Sequence, residues 1–163
     1  DKMDKNQAVI DYLLTCEDIQ NSPLYFNFIN AKDGTKQLLT LSNDKNIQKP
    51  YVDGSVEKRY QLTIQDYRSI SSNALVNIPG FCNENVDDFK DVQALLDWIK
   101  VQNQKGIFPD FGQECIIDEI LTTTDNPRLD SIDASTSPPL ARYSFTITIN
   151  YLDISGRIWS KEE

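Results

Sequence analysis

The chain contains no histidine, and that absence removes more chemistry than any residue present adds. Ser-His-Asp and Cys-His nucleophiles, imidazole general bases and His-containing zinc sites are all excluded. The three cysteines, Cys16, Cys82 and Cys115, form no CxxC pair, and an odd count does not build a disulfide framework. They read as small buried apolar side chains in a reducing compartment; without an imidazole to activate it, a catalytic thiol has no support. The carboxylate pairs Asp87-Asp88 and Asp118-Glu119 lie on different predicted elements. Successive residues of a strand face opposite ways, so Asp118 and Glu119 are not expected to share a site. Asp125-Asn126 with Asp130 and Asp133 offers calcium-type oxygen donors, but without the central glycine and closing Glu of an EF-hand. No glycine spacing matches a phosphate-binding loop, and no serine sits in a GxSxG elbow. The expectation is no catalytic residue, no metal and no cofactor.

The elements that would position these residues can be read from periodicity. Val9, Tyr12, Leu13, Cys16 and Ile19 draw one apolar stripe along a predicted helix over residues 5–20, ended before Pro23. Two short strands, 24–29 and 37–41, flank Asp33-Gly34 and predict a hairpin with a positive φ at Gly34. Residues 42–57 read as an exposed connection holding at most a short edge strand. Residues 58–67 alternate, with Tyr60, Leu62 and Ile64 on one face, as a half-buried antiparallel strand does. A second loop follows over 68–85.

A long helix is predicted over 86–104, with Val86, Phe89, Val92, Leu96 and Ile99 on one face. Asn85 reads as its N-cap, Asp87, Asp88 and Asp91 suit its positive end, and Lys105-Gly106 closes it. Residues 114–123 form a strand whose broken alternation signals a bulge. Residues 142–152 form a strand with Tyr143, Phe145, Ile147, Ile149 and Tyr151 on one side. These elements sum to an α+β fold: two helices on one face of an antiparallel β-sheet, with a long C-terminal β-hairpin.

The chain's 163 residues suit one domain over 4–155. Residues 1–3 read as a tag remnant and start, and 156–163 as a polar C-terminal tail. Seven Phe, seven Tyr and two Trp supply large side chains for the core. The net charge of −9 disfavours non-specific nucleic-acid binding. No stretch is apolar enough to span a membrane as a helix.

Three segments carry a resemblance: Lys58-Arg-Tyr-Gln-Leu-Thr-Ile64, Leu95-Leu-Asp-Trp-Ile99 through Gly106-Ile-Phe-Pro109, and Ala141-Arg-Tyr-Ser-Phe-Thr-Ile-Thr-Ile-Asn-Tyr151. In their order along the chain they resemble the tail terminator, or tail completion (minor capsid), proteins of long-tailed bacteriophages, over about residues 6–153. The resemblance implies a homohexameric ring in the virion neck, assembled in the host bacterial cytoplasm. Such a ring caps the tail tube, halts its polymerisation and joins tail to head. Its implied partners are further copies of itself, the tail-tube protein and a head-completion protein, with genomic DNA passing through unbound. Six subunits at −9 each would place roughly −54 on the ring, suited to letting DNA pass without sticking; the same acidity also serves solubility.

Other head-to-tail connector or tail-tube proteins share parts of the pattern. A small carboxylate-dependent enzyme and a regulatory domain binding a peptide at a sheet edge are the readings from other classes. The connection 124–141, rich in Asp, Ser, Thr and Pro, reads either as a passive tip or as a segment ordered by a partner. It is the candidate contact loop, through Asp125, Asn126, Arg128, Asp130, Asp133 and Pro138.

Overall fold

The computed structural model describes residues 4–20, 24–26, 34–40, 47–69, 84–122, 124–135 and 139–157. Two strands of 14 residues each, β4 (Val56–Ser69) and β7 (Leu140–Asp153), pair antiparallel along their whole length. Each has its other edge covered by two shorter strands laid end to end. On the β4 side these are β2 (Lys36–Thr40) and β3 (Ile47–Pro50). On the β7 side they are β5 (Cys115–Thr122) and β6 (Arg128–Asp133). A short β1 (Leu24–Phe26) extends the sheet beyond β2. The fold is α+β, with the helices on one face of this seven-stranded, mostly antiparallel sheet.

Alternation divides the β4–β7 ribbon into two chemically distinct faces. Leu62, Ile64, Phe145, Ile147 and Ile149 lie on the core face, and Tyr60 packs against it. On the other face polar side chains bond across the strands. Thr63 Oγ1 lies 3.2 Å from Thr146 Oγ1, Gln61 Nε2 donates to Thr148 Oγ1 at 3.3 Å, and Arg59 Nε donates to Asn150 Oδ1 at 3.3 Å. The core face is covered by α1 (Lys5–Leu13), the single turn α2 (Glu17–Gln20) and α3 (Glu84–Lys105). Val92, Leu95, Leu96 and Ile99 of α3 are buried there, as the helical periodicity predicts.

Several expectations are corrected. The first helix does not run unbroken from 5 to 20. Thr15 Oγ1 donates to the Tyr12 carbonyl at 2.6 Å, and the N–H groups of Thr15 and Cys16 make i→i−3 bonds that end α1. Cys16 and Ile19 nevertheless stay buried, because α2 resumes on the same side. Asp4 caps α1, accepting from Asn6 N–H at 2.9 Å. The 24–29 and 37–41 strands do not make a hairpin: β1 runs parallel to β2. Gly34 has the expected positive φ of 76° but leads into the β4 ladder, its N–H bonding to the Tyr67 carbonyl at 2.8 Å. Asn85 is not an N-cap, since α3 already includes Glu84. The far end of α3 closes as expected: Gly106 has φ 69°, its N–H bonds to Asn103, and Ile107 N–H reaches back to Gln102 at 3.0 Å.

The connection 124–141 also differs from expectation. It holds β6, a strand in register with residues 140–144 of β7. The C-terminal hairpin is therefore β5 and β7 with a second paired strand between them.

Candidate assembly interface

The predicted contact loop is a docked turn followed by an edge strand. Asp125 is held to α3 on two sides: its carboxylate meets Lys100 Nζ at 2.8 Å, and its carbonyl accepts from Gln93 Nε2 at 2.9 Å. The Lys100 hydrogen bond keeps the Asp125 carboxyl below its ordinary range. The Asn126 carbonyl accepts from Thr124 Oγ1 at 2.6 Å, and Pro127 is buried. In β6, Asp130 lies between Arg128 and Arg142, at 3.5 and 3.7 Å. Asp133 closes the strand by accepting from both Ser135 N–H and Ser135 Oγ, which lower its carboxyl. Pro138 lies outside the described residues. Five of the six candidate residues thus fall on one continuous stretch. Replacing residues 126–139 by a short turn would remove a paired strand, not surface slack.

Four large apolar side chains stand roughly half-exposed along this side of the sheet. They are Ile116 and Leu121 of β5, and Leu129 and Ile132 of β6, all between 42 and 49% exposed. The pairing with β7 puts Ile116 and Leu121 on the polar face and Leu129 and Ile132 on the helix side. Large apolar side chains on both faces of an edge are costly to leave in water.

A second feature was not anticipated. The register of β5 slips between Ile117 and Glu119, leaving Asp118 as the extra residue. Strict alternation fails at a bulge, and Asp118 and Glu119 line one cleft together, contrary to expectation. The cleft, about 320 Å³, is completed by Gln48, Glu57, Lys58, Arg59, Asn150 and Tyr151. Asn150 Nδ2 donates to Glu119 Oε1 at 2.9 Å while its Oδ1 accepts from Arg59. Tyr51 donates to Glu57, a bond that raises the tyrosine's pKa. The predicted bulge at 114–123 was the available signal, since it cancels the parity argument at this point. Among the described residues, no group of three or more Cys, Asp or Glu is placed to hold a metal ion, and no helix is long and apolar enough to cross a membrane.

The third feature is a buried charge cluster. Lys36 and Asp66 are cross-strand neighbours, each side chain only 2% exposed, with Nζ and Oδ2 3.1 Å apart. Arg68 Nε reaches the same carboxylate at 2.8 Å and extends to Asp91 of α3 at 3.5 Å. The cluster ties β2, β4 and α3 together. No protein-family model matches the sequence, and no curated protein matches it.

Proposed function

We propose that this chain is a structural assembly protein of the tail-terminator type. It would form a ring that caps a phage tail tube, stops its polymerisation and joins tail to head, within the virion neck. The observation that supports this most is the β5–β6 side of the sheet, where Ile116, Leu121, Leu129 and Ile132 stand half-exposed on strands paired to β7. A ring needs such a side surface, because each subunit must offer its neighbour a patch that is costly to leave in water. The acidic composition suits passage of DNA through a lumen.

The test is direct. The purified chain is added to tail-tube protein polymerising in solution, and tube length is followed by electron microscopy. Binding at tube ends with arrested growth supports the proposal; unchanged tube lengths at saturating protein reject it. The cleft bearing Glu57, Asp118 and Glu119 is what favours the alternative of a carboxylate-dependent enzyme. A turnover activity lost in Asp118→Asn, in a protein that still assembles, would establish that reading instead.

A further inference from the structure

We propose that β6 pairs with the β6 of a second copy of this chain, antiparallel about a two-fold axis, joining two sheets edge to edge. Among the described residues, β6 pairs with β7 alone. Its sequence, Arg128-Leu-Asp-Ser-Ile-Asp133, carries three charges and a bulge, which guard an edge against a neutral strand but leave it open to one of matching charge pattern.

The occupant is identified by what the two-fold axis brings together. With the axis between Asp130 and Ser131, Arg128 stands opposite Asp133 of the second copy, and Leu129 opposite its Ile132. Asp130 stands opposite its Ser131. Symmetry supplies each of these pairs twice. Opposite charges meet, apolar side chains that are 48% and 47% exposed meet, and a carboxylate meets a hydroxyl. Arg128 is available for this: its side chain is 79% exposed, and its contact to Asp130 is long at 3.5 Å.

An unbroken strand could not pair with itself in this way. Residues facing each other across an antiparallel pair share a sheet face and a hydrogen-bonding direction, so positions an odd number apart never match. The register shift between Leu129 and Ser131 removes that bar. Across it, Leu129 and Ile132 both stand opposite odd-numbered residues of β7, Tyr143 and Ala141. Arg128 and Asp133 both stand opposite even-numbered ones, Ser144 and Leu140. The bulge thus puts Arg128 with Asp133, and Leu129 with Ile132, on common faces. The contact is small, which places it in the weak, reversible class.

This inference does not rest on the ring reading. A two-fold contact closes on itself as a dimer and generates no six-membered ring. A failed tail-capping assay leaves it standing, because the dimer is read by sedimentation and by β6 exchange alone.

Sedimentation of the full chain from micromolar to millimolar concentration should show a monomer–dimer equilibrium. Arg128→Asp sets like charges opposite each other twice and should weaken dimerisation about tenfold. The swap R128D/D133R restores opposite charges and should return the dimer to within about threefold of the parent. Hydrogen exchange at the β6 amides of the unaltered protein should slow as its concentration rises, a readout that needs no variant to fold. A monomer throughout the range overturns the proposal. So does a dimer indifferent to Arg128→Asp, a folded swap variant without rescue, or β6 exchange independent of concentration.

Discussion

Asp66 follows Tyr60, Leu62 and Ile64 on the core face of β4, a carboxylate where the alternation calls for an apolar side chain. It is tolerable there because Lys36 and Arg68 both reach it. The two partners of the buried pair are not equivalent under substitution. Asp66→Ala leaves the Lys36 ammonium without its carboxylate at 2% exposure and should cost about 3–5 kcal/mol. Lys36→Met leaves Asp66 still paired with Arg68 and should cost clearly less; equal losses in urea unfolding would contradict this account. Gln37 presents the opposite case. It is fully buried, and neither Oε1 nor Nε2 has a hydrogen-bond partner among the described residues. An unsatisfied buried amide costs about 1–3 kcal/mol, so Gln37→Met should leave stability unchanged or raise the melting temperature. A fall of several degrees would show that the amide serves a purpose.

Among the elements, the turn joining β3 to β4 shows how backbone contact alone can fix a position. Gly54 has φ 90°, and a Cβ added there would collide with the Gly156 carbonyl; a Cβ on Gly156 would meet Gly54 in return. The segment after β7 therefore lies against the β3–β4 turn, and Arg157 reaches Asp53 at 3.3 Å across the contact. Gly54→Ala is disfavoured by both the positive φ and the collision, so it should destabilise by about 1 kcal/mol or more. The local reading is that the 154–157 segment separates while the sheet persists. Faster hydrogen exchange confined to residues 51–57 and 153–157 would support that; uniform acceleration across the sheet would oppose it. The same turn chemistry recurs at Asp53/Ser55, Asp133/Ser135 and Asp153/Ser155, where each carboxylate accepts from the N–H and Oγ of the serine two residues on.

For the molecule as a whole, acid stability depends on where carboxylates gain cations. Burial pushes the Asp153 carboxyl up, but hydrogen bonds from Lys58 and Ser155 outweigh it and hold the group at about 2. A carboxylate lowered on folding stabilises the native state above its ordinary value of 3.8, and that contribution fades as the pH falls towards 2. Lys58 Nζ donates to Asp153 at 2.7 Å and joins β4 to the end of β7. Lys58→Met removes the ammonium while burial still acts. Stability should then fall at neutral pH, where Asp153 contributes fully, and acid unfolding followed by circular dichroism should begin at a higher pH. An unshifted acid transition would remove Asp153 from the account.

The sequence by itself determined the elements whose pattern repeats over many residues. The alternation from Arg142 to Leu152 and the stripe of Val92, Leu96 and Ile99 determined a half-buried strand and a core-facing helix, because burying one face is the strongest demand on either element. The bulge in β5 was legible too, as a break in alternation, and it is what lets Asp118 and Glu119 line one cleft. Only the tertiary structure decided which short strands lie against the central ribbon. The parallel β1 and the edge strand β6 arise from pairing between segments distant in the chain. β6 in particular has too few apolar residues to declare itself, since its backbone hydrogen bonds to β7 hold it in place more than burial does. The charge cluster likewise depended on register. A one-residue slip of β2 against β4 would have sent Lys36 to the opposite face and left Asp66 with Arg68 alone.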